Sequence, residues 1–118
     1  MKKILLVDDS FIARKGIKNL CNELSYEVLE AGGGAEAIEI ITGDTPDLIL
    51  LDLLMPEPDG FEVLRYLQDQ KNPPPVIVLS ADIQVTTQAK CFNLGAAAFI
   101  KKPPKREQLL ETIQEQIK

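Results

Sequence analysis

Acidic, hydroxyl and basic side chains follow the apolar runs of this sequence, at the point where each run ends. Asp8 and Asp9 come directly after the first run, and Asp52 comes after a later one. Ser80 and the pair Lys101–Lys102 follow two further runs. Each position alone fits an ordinary role, such as a helix cap, a turn or a solvated charge. Their common placement favours one shared site over separate roles at every position.

These residue types together are suited to phosphate chemistry. Three neighbouring carboxylates repel one another, so that either one is protonated or a cation lies among them. Oxygen ligands with room for water suit Mg²⁺, which commonly joins carboxylates to a phosphate. Lys102 offers a point charge and Ser80 a hydroxyl donor for phosphate oxygens. The sequence contains no histidine, which excludes Ser-His-Asp and Cys-His systems and leaves a carboxylate as a nucleophile toward phosphorus.

Strands and helices alternate along the chain. The runs at 4–7, 48–51 and 76–79 are continuous and of strand length, as expected for parallel strands covered on both faces. The segments at 26–30 and 97–100 are weaker strand candidates. Five strand-then-helix units predict one α/β domain over residues 1–118 with a doubly wound parallel sheet. Such sheets bind ligands beyond the carboxyl ends of their strands, where the polar residues gather.

Five segments between the strands are predicted helices. The first has Ser10 as its N-cap, and the fourth is a poor helix former because Val85, Thr86 and Thr87 are β-branched. The predicted helices are a first with Ala13, Ile17, Leu20 and Leu24 on its apolar stripe, then 35–41, 59–70, 83–94 and 105–118.

Composition restricts the classes of function. No apolar run approaches the roughly 18 residues of a membrane span, and no signal-peptide pattern is present, so we expect a cytoplasmic protein without a membrane partner. The net charge of -5 argues against direct binding of nucleic acid by this chain. Cys21 and Cys91 lie far apart, with no histidine to share a metal, which indicates reduced, partly buried thiols.

Four motifs in a fixed order give the sequence a clear resemblance to a known family. They are LLVDDS at 5–10, DLLMPEPDG at 52–60, VLSA at 78–81 and GAAAFIKKP at 95–103. Over its whole length the chain resembles the receiver domain of bacterial response regulators. The resemblance implies a flavodoxin-like (βα)5 fold, a three-layer sandwich with parallel strand order 2-1-3-4-5.

The resemblance also implies a role for each residue of the acidic group. Asp52 is the implied phosphoacceptor, and Mg²⁺ is the implied cofactor. The metal would be held by Asp8, Asp9, Asp52 and the backbone carbonyl of Leu54, with Asp9 a more direct ligand than Asp8.

Further implied residues bind the phosphoryl group and respond to it. Lys102 would pair with the phosphoryl group, and Ser80 would donate a hydrogen bond to one of its oxygens. Phe99 stands at the family's aromatic switch position and is expected to turn inward when Ser80 moves. The Lys102–Pro103 peptide bond is expected to be cis.

The implied partners are those of a signalling switch rather than of a metabolic enzyme. A sensor histidine kinase or phosphotransfer protein, or a small phosphodonor, would supply the phosphoryl group, and the domain would catalyse only its own phosphorylation and dephosphorylation. A downstream protein or output domain would read the face formed by the fourth helix, the last strand and the last helix. Because Ala97 and Ala98 replace the family's usual acidic pair, we expect a monomer or a weak phosphorylation-dependent dimer. The sequence is compatible both with a stand-alone receiver and with a module of a longer regulator or hybrid kinase.

Two other classes share part of this pattern. A phosphatase of the haloacid dehalogenase type also forms an aspartyl phosphate, but it needs a second aspartate two residues later, where this chain has Leu54. A flavin-binding module on the same architecture is weaker still, because a hydroxyl-rich phosphate loop does not follow the first strand. The glycines at 32–34 lack the order of a phosphate-binding loop and indicate a turn into the second helix.

Overall fold

Strand and helix alternate five times along the chain. The computed structural model describes residues 1–117. The strands are β1 (Lys3–Val7), β2 (Glu27–Ala31), β3 (Leu48–Asp52), β4 (Val76–Ser80) and β5 (Ala98–Lys101). The helices are α1 (Phe11–Cys21), α2 (Gly34–Gly43), α3 (Gly60–Gln68), α4 (Val85–Asn93) and α5 (Arg106–Gln116).

All five strands form one parallel sheet in the order β2-β1-β3-β4-β5. The chain runs from β1 outward to β2, and then crosses back to place β3 on the other side of β1. This reversal creates a crevice beyond the carboxyl ends of β1 and β3, the usual ligand position in such sheets. The predicted fold class and strand order are therefore confirmed.

Helices cover both faces of the sheet, which gives the three expected layers. On one face, α2, α3 and α4 pack on alternate strand residues such as Leu5 and Val7. On the other face, α1 and α5 pack on the intervening residues, among them Ile4 and Leu6. The strands β3 and β4 are buried along their whole length, which explains why their sequences are continuously apolar.

Helix boundaries differ from the predictions at several ends. Leu24 was expected on the stripe of α1, but α1 ends at Cys21, and Leu24 packs against the α1–α5 core from the following turn. In α5, the helix ends at Gln116, and Lys118 lies outside the described residues. Both cysteines are free and buried, as expected for reduced thiols, although their burial is complete rather than partial. Within residues 1–117, no helix has the length and apolar character needed to cross a membrane.

Candidate functional site

The ends of the strands bring the polar residues singled out in the sequence to one edge of the sheet. Asp8 comes directly after β1, and Asp52 is the last residue of β3, in the strand next to β1. Ser80 ends β4, and Lys102 comes directly after β5. In the strand register, Asp52 lies opposite Leu79, which makes Ser80 the next residue along.

Three carboxylates meet at this edge. One oxygen each from Asp8, Asp9 and Asp52 lies within 4.8 Å of the other two. Asp8 is only 1% exposed and Asp52 only 7%, whereas Asp9 is exposed. Two of the three carboxylates are therefore buried, and the group opens to solvent at Asp9. We call Asp8, Asp9 and Asp52 together the acidic pocket.

Within residues 1–117, one ammonium group is in contact with these carboxylates. Lys102 Nζ donates to Asp8 Oδ2 at 2.6 Å and lies 3.6 Å from Asp52 Oδ1. Lys102 supplies one positive charge to three carboxylates, and the nearby Arg14 guanidinium is bonded to the Asp8 carbonyl rather than to a carboxylate, so the group keeps a net negative charge. The neighbouring Lys101 is exposed at the end of β5, so only the second lysine of the pair reaches the pocket.

The surroundings of Asp52 make its charged form costly. Burial raises the pKa of Asp52 from 3.8 to about 6, and the charges of Asp8 and Asp9 add to this effect. The ammonium of Lys102 and a backbone hydrogen bond from Leu54 act in the opposite direction, because both favour the carboxylate. The pKa stays high because one cation does not offset burial and two like charges.

Every polar atom of Asp8 is held by the protein. Its Oδ1 accepts from the Ser10 N–H at 2.9 Å, and its Oδ2 accepts from Lys102. Its backbone N–H donates to the Ala31 carbonyl at 3.1 Å, and its carbonyl accepts from Arg14 at 2.6 Å. Asp8 is thus held at each of its polar atoms, whereas Asp9 is exposed to solvent.

The donor set fits a hard divalent cation. All the candidate side-chain ligands are carboxylate oxygens, and an exposed rim leaves room for water, as Mg²⁺ requires. The uncompensated charge of the pocket also favours a cation there. Leu54 has an exposed side chain, and its backbone already contributes a hydrogen bond to Asp52.

Ser80 is completely buried, and its hydroxyl is engaged with the loop before α4. Ser80 Oγ accepts from the Asp82 N–H at 3.1 Å. The carboxylate of Asp82 in turn accepts from the Gln84 N–H at 3.1 Å and from the Thr87 hydroxyl at 2.9 Å. Sequence reasoning missed Asp82, although an aspartate in the loop before a helix, here three residues before Val85, is a recognisable signal for such a turn. Phe99 is half-buried against the core on the α2–α4 face.

The loop after Asp52 approaches two glycines so closely that a side chain would not fit at either position. A Cβ on Gly60 would lie 2.5 Å from the Asp52 carbonyl oxygen, and one on Gly34 would lie 2.1 Å from the Pro58 carbonyl oxygen. The predicted turn from the glycines at 32–34 into the second helix is confirmed, because α2 begins at Gly34. The Lys102–Pro103 bond is cis, as expected, and the cis bond at Glu57–Pro58 was not predicted.

An open parallel sheet that carries buried carboxylates and a lysine at the crevice beyond β1 and β3 is the arrangement of a receiver domain. Residues 4–114 match the family model described as Response regulator receiver domain. This chain therefore belongs to the response regulator receiver domain family, and the resemblance seen in the sequence is confirmed.

Relatives and solved structures agree with this assignment. The Response regulator MprA of Mycobacterium leprae (strain TN) is 35% identical over 111 residues, which are 94% of this chain and 49% of that protein. The protein of the same name from Mycobacterium ulcerans (strain Agy99) is 36% identical over 108 residues, or 92% of this chain and 47% of that one. The chain thus spans about half the length of these relatives.

Among solved structures, the Vibrio cholerae chemotaxis protein CheY4 is similar with a TM-score of 0.89 and 30% identity, and 98% of each chain is covered. The receiver domain of the Francisella response regulator 1452 has a TM-score of 0.92 at 27% identity, covering 99% of this chain and 97% of that one. The fold is therefore CheY-like. The phosphatase alternative gains no support, because Leu54 occupies the position its second aspartate would need.

Proposed function

We propose that this domain is a phosphoacceptor in two-component signal transduction and that Asp52 receives the phosphoryl group. The observation that carries this proposal is the placement of Asp52 in a pocket with two further carboxylates and the Lys102 ammonium. Membership of the receiver family supports the same role.

The chemistry follows from the positions of the side chains. A carboxylate oxygen of Asp52 attacks the phosphorus of a phosphohistidine or an acyl phosphate, and the bond from phosphorus to the donor atom breaks. The product is an acyl phosphate on Asp52, which water later hydrolyses. Lys102 lies within 3.6 Å of the attacking carboxylate and is placed to stabilise the charge on the transferred group.

Mg²⁺ would be held by Asp9 and Asp52, with Asp8 behind them and the Leu54 carbonyl as a further ligand. When bound, the metal supplies positive charge between the carboxylates and the phosphoryl oxygens. Asp8, which is bonded to Ser10 and Lys102, keeps the pocket in shape around it.

The switch begins at Ser80. Ser80 is completely buried and its Oγ accepts from the Asp82 N–H, so a movement of the hydroxyl toward a phosphoryl oxygen, to which it would donate its own proton, also displaces the loop that carries Asp82. Because Asp82 also holds the start of α4, this movement reaches the helix, and Phe99 can change its packing at the same time. Phosphorylation thereby biases the domain between two conformations.

The face formed by α4, β5 and α5 presents the result to a downstream protein or output domain. A sensor histidine kinase or a phosphotransfer protein is the proposed donor, in the cytoplasm. With Ala97 and Ala98 in place of acidic residues, the domain acts as a monomer or a weak dimer that depends on phosphorylation.

Phosphorylation by acetyl phosphate in Mg²⁺ tests the proposal. Wild-type protein should gain the mass of one phosphoryl group, and Asp52→Asn should gain none. Asp69→Asn, which changes an exposed aspartate beyond the end of α3, is the matched control and should react like wild type. A mass gain that persists in Asp52→Asn would refute the assignment.

Lys102→Ala separates metal binding from switching. The carboxylates remain in this variant, so Mg²⁺ should still bind. The changes in amide chemical shift that beryllofluoride produces in α4 of the wild type should be lost, because the variant lacks the ammonium that contacts the phosphoryl-like group. Unaltered shifts in the variant would contradict the role of Lys102.

A further inference from the structure

Arg14 connects the acidic pocket to a strand that carries none of its ligands. Its Nη1 donates to the Asp8 carbonyl at 2.6 Å, and its Nε donates to Glu30 Oε1 at 3.1 Å. The other oxygen of Glu30 accepts from Lys18 Nζ at 3.0 Å. The Arg14 side chain is only 16% exposed, and the Phe11 ring lies 5.8 Å from its guanidinium. The guanidinium is therefore fixed between α1 and β2.

The bonded carbonyl belongs to the peptide group that joins Asp8 to Asp9. Because a peptide group is planar, a bond to its oxygen also fixes the direction in which the Asp9 residue leaves it. Asp8 has other restraints, since its side chain is bonded to Ser10 and Lys102. Asp9 is exposed, and its position depends on the backbone that carries it.

We propose that Arg14 is a positioning residue for the metal site. By holding the Asp8–Asp9 peptide against β2, it directs the Asp9 carboxylate toward Asp52. Glu30 anchors the guanidinium in this orientation, and a fork of N–H donors is needed to contact both groups at once. This inference deepens the proposed function and rests on the Mg²⁺ site assigned there.

If Arg14 acts by positioning Asp9, its removal should weaken Mg²⁺ binding, whereas an effect of its charge alone should strengthen it. A positive charge near a cation site weakens cation binding, so an effect of charge alone would make loss of Arg14 tighten Mg²⁺ binding by about twofold. A residue that orients a ligand has the reverse effect. Its removal weakens metal affinity by about tenfold, at the lower end of values for such partners.

Calorimetric titration of metal-free protein with Mg²⁺ alone distinguishes the two. Arg14→Met keeps an apolar stem beside Phe11 and removes the donors. Lys18→Met is the matched control, because it removes the same charge and the other partner of Glu30 without touching the Asp8 carbonyl. We expect the Kd for Mg²⁺ to rise about tenfold in Arg14→Met and to stay within about twofold of wild type in Lys18→Met.

Two further measurements keep the test decisive. Arg14→Lys keeps the positive charge but loses the fork that contacts the Asp8 carbonyl and Glu30 together, so charge alone predicts an unchanged Kd and positioning predicts a higher one; it also serves if Arg14→Met does not fold. In metal-free protein, the amide resonance of Asp9 should shift in Arg14→Met and not in Lys18→Met.

An unchanged or tighter Kd in Arg14→Met would overturn the inference, as would equal weakening in Lys18→Met. Both results would leave the proposed function standing, since wild type would still bind the metal. Failure of the wild type itself to bind Mg²⁺ would instead overturn the metal site on which both proposals depend.

Discussion

Replacing Asp52 with asparagine is expected to stabilise the metal-free protein at neutral pH. Asparagine has nearly the same size and keeps an oxygen that can accept the hydrogen bond from the Leu54 backbone, but it carries no charge. In the native protein Asp52 is 7% exposed, and its carboxylate lies beside those of Asp8 and Asp9. Its ionisation therefore opposes folding.

The size of the effect follows from the pKa of Asp52, which rises from 3.8 to about 6 on folding. Each unit of pKa corresponds to about 1.4 kcal/mol, so the charged form costs at most about 3 kcal/mol. Solvent reaches the pocket on the Asp9 side and screens part of this interaction. We therefore expect a gain of about 1–2 kcal/mol in the free energy of unfolding of Asp52→Asn.

The pH dependence has a definite sign. Because the pKa of Asp52 is higher in the folded state, the native protein binds more protons between 3.8 and about 6. Its stability falls as the pH rises through this window, and the cost is complete above it. The advantage of Asp52→Asn should be full at about pH 7.5 and should vanish as the pH falls toward about 4.

Urea unfolding followed by far-UV circular dichroism, in the presence of a chelator, measures this difference. Added Mg²⁺ should then favour the wild type, by about 1.4 kcal/mol at ten times its Kd, and should favour the variant less. Glu39→Gln, at an exposed position within α2, is the control and should change stability by less than about 0.5 kcal/mol. A variant no more stable than wild type at neutral pH would refute the reasoning.

Three other outcomes can be checked. Gly60→Ala should lose about 1–3 kcal/mol, because its Cβ would lie 2.5 Å from the Asp52 carbonyl oxygen. Gly16→Ala, where nothing lies within 4 Å of the added Cβ, should gain about 0.5–1 kcal/mol in the same urea titration; equal effects would contradict this. Asp82→Ala should lose about 1 kcal/mol and speed amide exchange at the start of α4, whereas unaltered exchange would argue against its capping role. Burial raises the pKa of Cys21 to about 11 and also raises that of Cys91, so a thiol reagent should react slowly with native protein and rapidly in urea. Rapid reaction of the native protein would count against the described core.

Much of the candidate site was accessible from local patterns. Apolar runs of strand length identify the strands, because a strand covered on both faces has no polar side. Once the strands are known to be parallel, the residues that follow them must share one edge. Asp8, Asp52 and Ser80 could be assigned to that edge without coordinates.

The folded structure decided which of these groups meet and what their environment does to them. Lys102 contacts Asp8 across 94 positions of sequence, whereas Lys101 beside it is exposed. The motif at 95–103 singles out Lys102 only through its resemblance to the family, and the apolar pattern of the strand does not distinguish the two lysines. The high pKa of Asp52 arises from burial by neighbours that come from separate strands and loops. The hydrogen bond from Arg14 to the Asp8 carbonyl, with Glu30 holding the same guanidinium, likewise requires that α1 pack against β2. Such contacts depend on how elements that are far apart in the sequence pack against one another. The periodicity of apolar residues within one element carries no information about which side chains of another element it will meet.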